Sequence, residues 1–217
     1  ADDNIIECLD PATGARIWQR SLPVAYQDRY GYNDGPRSSP VIDGDQVLVY
    51  NQIGVLRGLA LADGSDRWSR DVNSDYQVAQ NFFGVGTTPL VMGNMIVLNV
   101  GGPSGPEVVG LERTTGKTVW MAGNQWGASY ATPVPGTVQG KERVFVFAGG
   151  ESRPATGGLL SIDPLTGTVD FSFPWRSKSY ESVNASCPVV IGNQVLVTSS
   201  YQTGAALLNI GADMQAT

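Results

Sequence analysis

The 217-residue sequence contains no histidine. A Ser-His-Asp triad, a Cys-His dyad, and zinc or haem sites with histidine ligands are therefore excluded. Charged residues make up only 16% of the chain, with a net charge of −6, and no basic stripe that could neutralise phosphates is present. Nucleic-acid binding is therefore not expected. Because no apolar run approaches the length of about 18 residues that a membrane span needs, no transmembrane segment is expected either.

Cysteine is also scarce. Cys8 and Cys187 lie almost the whole chain apart, and neither belongs to a C-x-x-C or C-x-x-C-H motif. They could form one disulfide in an oxidising compartment, but two buried free thiols are the simpler interpretation. The first residues, 1–4, are polar and do not form a signal peptide, although one could have been removed.

The chain does contain a repeat of about 50 residues. Four eleven-residue segments (8–18, 58–68, 110–120 and 161–171) each begin with a small residue and an aliphatic one. Each has a glycine at its seventh place and an aromatic residue at its eleventh. The glycines are Gly14, Gly64, Gly116 and Gly167, and the aromatic residues are Trp18, Trp68, Trp120 and Phe171. The glycines are separated by 50, 52 and 51 residues, which chance does not explain.

A second set of residues follows the same period. Four prolines are each followed by a turn that contains glycine and then by a run rich in β-branched residues: Pro40, Pro89, Pro133 and Pro188. Short apolar runs separated by Asp-Gly or Gly-Asn turns predict β-hairpins, because glycine supplies the positive φ that tight hairpin turns require. No segment of ten residues or more shows a helical period. The predicted class is all-β.

Each unit thus predicts four antiparallel strands, which is the composition of a propeller blade. Such a sheet has two apolar faces, and stacking blades face to face would bury both. We therefore predict a β-propeller of about four four-stranded blades. One domain would span residues 1–217, with repeats near 5–35, 36–85, 86–128, 129–180 and 181–217. A β-sandwich is the alternative, but it does not explain the fixed period.

The pattern small-x-Asp-x-x-Thr-Gly-x-x-x-Trp resembles the tryptophan-docking motif of the quinoprotein-type (PQQ-like) repeat β-propellers. Residues 8–18 match it nearly whole, and the resemblance extends over about residues 5–210. The other copies depart from the pattern at Ala60, Asp63, Glu112 and Phe171. The resemblance implies that the four aromatic residues and four glycines are structural docking residues between blades. It also implies a ring of seven or eight blades, of which this chain supplies part. In the alternative, terminal strands from both ends complete one blade and close a small ring.

The family includes dehydrogenases that hold PQQ and calcium, often beside an adjacent pair of cysteines. It also includes non-catalytic members such as the outer-membrane protein assembly lipoprotein. This sequence has no adjacent cysteines, so the resemblance implies a binding scaffold of the bacterial cell envelope, periplasmic or otherwise extracytoplasmic, without cofactor or metal. A protein or peptide partner is expected, and the remaining blades or a second copy could cover an exposed blade face. The alternatives are a fragment of a PQQ-dependent alcohol or sugar dehydrogenase and a sensor domain of a membrane kinase.

Polar loops precede each proline-marked strand. Because they join the outer strand of one blade to the inner strand of the next, we expect them to gather at the mouth of the central channel. The alternative is that they only form hydrogen bonds with neighbouring blades. The candidate residues for a ligand or partner are Asn33, Arg37, Asn81, Phe82, Tyr130, Glu181 and Asn184.

Arg37 is the expected anchor among these candidates, because a guanidinium group can form a bidentate pair with a carboxylate. In the alternative, Arg37 is structural and pairs with Asp34 or Glu181. No pair of carboxylates is positioned by sequence for general acid-base work, so no catalytic residue is predicted.

Overall fold

The computed structural model describes residues 3–101 and 105–217, which form five antiparallel sheets in chain order, here called blades 1 to 5. Blade 1 contains β1 (Asn4–Leu9) and β2 (Arg16–Leu22). Blade 2 contains β3 (Val41–Asp43), β4 (Gln46–Tyr50), β5 (Val55–Ala60) and β6 (Asp66–Asp71). Blade 3 contains β7 (Leu90–Met92), β8 (Met95–Asn99), β9 (Val108–Glu112) and β10 (Thr118–Ala122). Blade 4 contains β11 (Val134–Val138), β12 (Lys141–Ala148), β13 (Gly158–Ile162) and β14 (Val169–Pro174). Blade 5 contains β15 (Val189–Ile191), β16 (Gln194–Ser199) and β17 (Gly204–Asn209).

Each blade is a meander in which consecutive strands pair, which confirms the all-β prediction. The turn between the last two strands of a blade explains the first half of the repeat motif, and in blade 1 this is the turn between β1 and β2. There, Gly14 has a φ of 70° and donates its N–H to the Asp10 carbonyl at 2.8 Å. The Asp10 carboxylate accepts the N–H groups of Ala12 and Thr13, both at 2.9 Å. The acidic residue therefore closes the turn, and glycine supplies its left-handed backbone.

One short helix, α1 (Val72–Tyr76), follows β6 and was not predicted. The Asp71 side chain caps it by accepting the Ser74 N–H at 2.9 Å. Five residues are too few to show a helical period in the sequence. No helix in residues 3–101 or 105–217 is long and apolar enough to cross a membrane.

Neighbouring blades bury their apolar faces against each other. Between blades 2 and 3, β4 and β8 contribute Leu48, Ile96 and Leu98, all fully buried. Separate apolar clusters fill the spaces between blades 3 and 4 and between blades 4 and 5. The period-2 alternation of each strand thus serves two interfaces, because side chains on opposite faces of one sheet pack on different neighbours.

Trp68 and Trp120 each lie in a slot between two glycines, whereas Trp18 lies between Cys8 and Gly64. Within blade 2, Trp68 pairs with Gly58 of the adjacent strand. On its other side it covers Gly116 of blade 3, where an added Cβ would lie 2.7 Å from the ring. Trp18 covers Gly64 in the same way, and Trp120 covers Gly167. The small residue that opens the motif and the glycine at its seventh place therefore make room for indole rings of different blades.

The two ends of the array expose apolar faces. Ile5 and Ile17 on blade 1 are 53% and 58% exposed, and Ile191 and Leu207 on blade 5 are 63% and 54% exposed. β1 pairs with β2, and β17 pairs with β16, in separate sheets. The alternative in which strands from both ends complete one blade is therefore wrong for the described strands.

The two cysteines are not the buried pair that was expected. Both are free thiols, but Cys8 is only half-buried and Cys187 is exposed. Cys8 lies in β1 opposite Trp18. Cys187 lies in the loop before β15 rather than within a strand.

Candidate functional site

Four inter-blade loops meet at one end of the array, here called the loop face: 23–40, 77–89, 123–133 and 175–188. Their rings form an aromatic cluster with centroid separations from 5.4 to 6.4 Å. The members are Tyr30, Tyr32, Phe82, Phe83, Tyr130 and Tyr180. Phe82 is buried at the centre, whereas Tyr30 and Tyr32 are 50% and 78% exposed. The cluster therefore presents two tyrosine rings to solvent on a packed aromatic base.

Buried amides fasten these loops to one another. Asn81 donates from Nδ2 to the Ala128 carbonyl at 2.9 Å, and its Oδ1 accepts the Glu151 N–H at 2.8 Å. Asn184 donates to the carbonyls of Ala148 and Trp175 at 2.8 and 3.1 Å. Asn81 thus bonds to two other loops, whereas Asn184 bonds its own loop to the end of β12, so both asparagines hold the loop face together.

Tyr130 has a similar supporting position. Its hydroxyl oxygen accepts the Phe83 N–H at 2.8 Å. Burial raises the pKa of Tyr130 well above its ordinary value, because the phenolate would lose its hydration. Tyr130 is therefore a neutral side chain that fixes the position of Phe83.

Arg37 forms its hydrogen bonds within its own loop, and its guanidinium carbon lies 5.6 Å from the centre of the Phe83 ring in loop 77–89. Its Nη2 donates to Asp28 Oδ2 at 2.9 Å and to the Asn33 carbonyl at 2.7 Å. The expected structural partners, Asp34 and Glu181, are wrong, because Asp28 is buried within the same loop and takes the ion pair. The pKa of Asp28 is lowered, first by the hydrogen bond from the Tyr30 N–H and less by the charge of Arg37.

The remaining candidates on the loop face are exposed. Asn33 Oδ1 accepts the Gly35 N–H at 2.7 Å, within one tight turn. Glu181 accepts the Ser179 hydroxyl at 2.6 Å, and this hydrogen bond lowers the pKa of the Glu181 carboxyl. Both side chains thus bond within their own loops.

A cavity of about 460 Å³ opens on the loop face beside the aromatic cluster. Its floor is backbone from three loops that approach closely. An added Cβ at Gly150 would lie 2.0 Å from the Ala128 carbonyl oxygen, and one at Gly101 would lie 1.7 Å from the Ala128 nitrogen. Its walls combine polar and apolar surface, and their larger side chains are Arg29, Gln80, Asn81, Asn124, Gln125, Trp126, Glu151, Ser152, Arg153 and Tyr180. A volume of this size is typical of ligand pockets.

A chain of polar contacts crosses the rim of this cavity. Arg29 donates from Nη1 and Nη2 to the two oxygens of Glu151 at 3.2 and 3.3 Å. The Tyr180 hydroxyl also donates to Glu151, and this hydrogen bond raises the pKa of Tyr180 because it stabilises the protonated phenol. The guanidinium carbon of Arg153 lies 3.8 Å from the centre of the Tyr180 ring. Three loops thus contribute to one ordered rim.

A buried carboxylate supports the opposite wall. Glu107 is fully buried and accepts the backbone N–H groups of Gln125 and Trp126 at 2.9 and 2.8 Å. Burial raises the pKa of Glu107, although the backbone donors oppose the rise. Within residues 3–101 and 105–217, no group of three or more acidic residues or cysteines is placed to hold a metal ion.

Of the seven candidates from the sequence, Asn81 lines the cavity, and Phe82 and Tyr130 belong to the aromatic cluster beside it. Sequence reasoning missed Arg29, Glu151, Arg153 and Tyr180 as members of the site. Glu151 and Arg153 follow the second strand of blade 4, in a loop between strands of the same blade. The prediction was limited to loops between blades and so left out Glu151 and Arg153, whereas Arg29 and Tyr180 lie in such loops but have no sequence feature that marks them.

The chain is similar to several solved propeller structures. BamB from Moraxella catarrhalis is 20% identical with a TM-score of 0.63, over 98% of this chain and 53% of that one. Quinohemoprotein alcohol dehydrogenase from Comamonas testosteroni is 13% identical with a TM-score of 0.62, over 97% of this chain and 37% of that one. The computationally designed protein Ika4 is 15% identical with a TM-score of 0.53, over 81% of this chain and 91% of that one. A search of curated proteins gives no match.

These similarities confirm the β-propeller fold. The chain spans 53% and 37% of the lengths of the two natural proteins above. The family model described as outer membrane protein assembly factor BamB matches residues 2–214, almost the entire sequence. With its repeated PQQ-like blades, the chain belongs to the family of the outer membrane protein assembly factor BamB.

Proposed function

We propose that this chain is a non-catalytic scaffold of the bacterial cell envelope that binds a protein partner through its loop face. The family of outer membrane protein assembly factor BamB supports an extracytoplasmic location and a partner in outer membrane protein assembly. The observation that carries the proposal is the aromatic cluster, in which Tyr30 and Tyr32 are exposed above buried Phe82. Exposed aromatic rings on a rigid base are typical anchors of protein interfaces.

The loop face also has the stiffness that such a surface needs. Asn81 and Tyr130 join loops from different blades through hydrogen bonds, and Asn184 bonds its loop to the end of β12. Because these loops are already ordered by the fold, little conformational entropy would be lost when a partner binds. The face can therefore act as a preformed platform.

A fragment of a PQQ-dependent dehydrogenase is the competing function, since such an enzyme shares the fold. In the cavity, the carboxylate in the described lining is Glu151, and its oxygens already bond to Arg29 and Tyr180. Calcium needs several oxygen ligands. The described lining therefore does not fit calcium and PQQ held together, and we favour the scaffold.

Site-specific photo-cross-linking tests the scaffold proposal. A benzophenone amino acid at Tyr32 should yield a defined adduct with an envelope protein when the chain is expressed in its source bacterium. The same amino acid at Leu165 is the matched control and should yield no adduct. Leu165 is exposed in the turn between β13 and β14, at the end of these strands that faces away from the loop face. Absence of the Tyr32 adduct, or equal adducts at both positions, would contradict the proposal. Dye-linked alcohol oxidation after addition of PQQ and calcium would support the dehydrogenase instead.

A further inference from the structure

The cavity wall carries a cation that the fold does not use for an ion pair. Arg153 is exposed, and no carboxylate of residues 3–101 or 105–217 lies within 4.0 Å of its guanidinium nitrogens. The guanidinium carbon lies 3.8 Å from the centre of the Tyr180 ring, which restrains it, and Tyr180 is itself held by Glu151. The guanidinium group has five N–H donors and the Tyr180 hydroxyl takes only part of them, so donors remain for a bound acceptor.

Ser152 adds a second donor next to Arg153. Its Oγ accepts hydrogen bonds from the Thr156 N–H at 3.2 Å and from Arg176 Nη1 at 3.1 Å. Both contacts use oxygen lone pairs, so the hydroxyl proton of Ser152 stays available, and within the described part of the chain no acceptor takes it. Arg176 lies behind this oxygen, without a carboxylate partner in the described residues, and adds positive charge.

Other polar groups on the wall also keep free donors. Gln80, Asn124 and Gln125 line the cavity and are exposed, and their side-chain amides form no hydrogen bonds with the described residues. The carboxylates near this wall already have partners. Glu151 is shared by Arg29 and Tyr180. Glu181 bonds to Ser179, and the charge of Arg153 also helps to lower the pKa of Glu181. The cavity therefore offers an excess of donors, which suits an acceptor-rich anionic group.

The cavity is also continuous with the aromatic cluster. Arg29 lines the cavity and lies 5.9 Å above the Tyr30 ring, and Tyr180 belongs to both the cavity wall and the cluster. A protein that covers Tyr30 and Tyr32 would therefore extend over the cavity mouth.

We propose that the cavity binds an acidic peptide segment of a protein partner. A glutamate or aspartate carboxylate of that segment is held by Arg153 and Ser152. The amides of Gln80, Asn124 and Gln125 bind its backbone. This inference rests on the proposed scaffold function, and it adds the chemistry that the partner must present.

Peptide titration followed by NMR tests the inference on the intact chain. The probes are acetyl-Gly-Gly-Glu-Gly-Gly-amide and its matched peptide with Gln in place of Glu. We expect the Glu peptide to shift the side-chain amide signals of Gln80 and Gln125, and to bind about tenfold more tightly than the Gln peptide. Equal binding of the two peptides, or no binding of either, would overturn the inference.

Two variants locate the carboxylate. Arg153→Gln should lose the preference for the Glu peptide, and Ser152→Ala should weaken it less. Arg16→Gln is the control, because Arg16 is an exposed arginine on β2 that pairs with Glu7 at 3.1 Å, far from the loop face. Unchanged Glu-peptide binding by Arg153→Gln at an unchanged melting temperature would overturn the inference.

The two proposals can fail separately. A Tyr32 adduct that forms without any acidic preference in the cavity would refute only the peptide inference. Selective binding of the Glu peptide without a Tyr32 adduct would refute the scaffold role and keep the chemistry of the cavity.

Discussion

The indole N–H groups of the motif tryptophans provide a matched test of blade docking. Trp120 Nε1 donates to the Pro164 carbonyl of the next blade at 3.0 Å, three residues before the glycine that its ring covers. The equivalent carbonyl for Trp68 is that of Arg113, which instead accepts Gln46 Nε2 at 2.9 Å. Trp68 Nε1 is buried without a partner among the described residues.

Replacing each tryptophan with phenylalanine should therefore have unequal effects. Both changes remove the same ring atoms, and the two indole rings lie against the adjacent strand in the same way. An added Cβ would lie 2.5 Å from Nε1 of Trp68 at Gly58 and 2.5 Å from Nε1 of Trp120 at Gly110. Trp120→Phe also leaves a buried carbonyl unpaired, which costs about 1–3 kcal/mol. Trp68→Phe removes a donor that was already unpaired.

We expect Trp120→Phe to destabilise the protein by about 1–3 kcal/mol more than Trp68→Phe. For a domain of this size, each 1 kcal/mol corresponds to about 2–4 °C in melting temperature. Urea unfolding followed by circular dichroism measures the difference, with unchanged m-values as the check that both variants unfold in the same way. If Trp68→Phe costs as much as Trp120→Phe, the role assigned to the Pro164 carbonyl is wrong.

Two further predictions concern the turns and a buried acid. Gly64→Ala should lower the melting temperature by several degrees more than Gly44→Ala. Both glycines have positive φ, but of the two only Gly64 would place an added Cβ against a tryptophan ring. Equal losses in thermal unfolding would show that the space at Gly64 is not needed by the Trp18 ring. Burial raises the pKa of Glu107 above 4.5, so its contribution to stability is full below pH 4.5 and declines as pH rises through the raised value. In urea unfolding at pH 4.5 and pH 8, Glu107→Gln should therefore gain stability relative to the native protein as pH rises, and a parallel pH profile would refute this.

The fold was predictable because its determinants are local and repeated. A tight turn needs glycine at a left-handed position, so Gly14, Gly64, Gly116 and Gly167 mark the same turn in four blades. A tryptophan at a fixed distance from each glycine could be recognised as part of the same unit. The helix α1 escaped prediction because a single capped turn has no period.

The candidate site was predictable only in part. The loops were identified correctly as a gathering point, because the connectivity of consecutive blades brings them to one end. The direction of each side chain was not accessible in the same way. Arg37 forms an ion pair with the buried carboxylate of Asp28, nine residues earlier, and is therefore not directed at a ligand. Arg29 and Glu151 are separated by 122 residues, and only the stacking of blades brings them into contact.

The sequence by itself determined the all-β class, the blade unit and the repeated positions of glycine and tryptophan at which Trp18, Trp68 and Trp120 meet the next blade. These features depend on backbone geometry and on apolar spacing, which a repeat displays several times in one chain. The tertiary structure alone decided which loop residues became supports and which became free donors. Asn81 and Asn184 are buried and donate to the carbonyls of Ala128 and Ala148, whereas Arg153 lies against the Tyr180 ring and has donors left for a ligand. The physical reason is that a polar side chain is available for binding only when its neighbours leave hydrogen bonds unmade, and only the folded chain decides which groups are its neighbours.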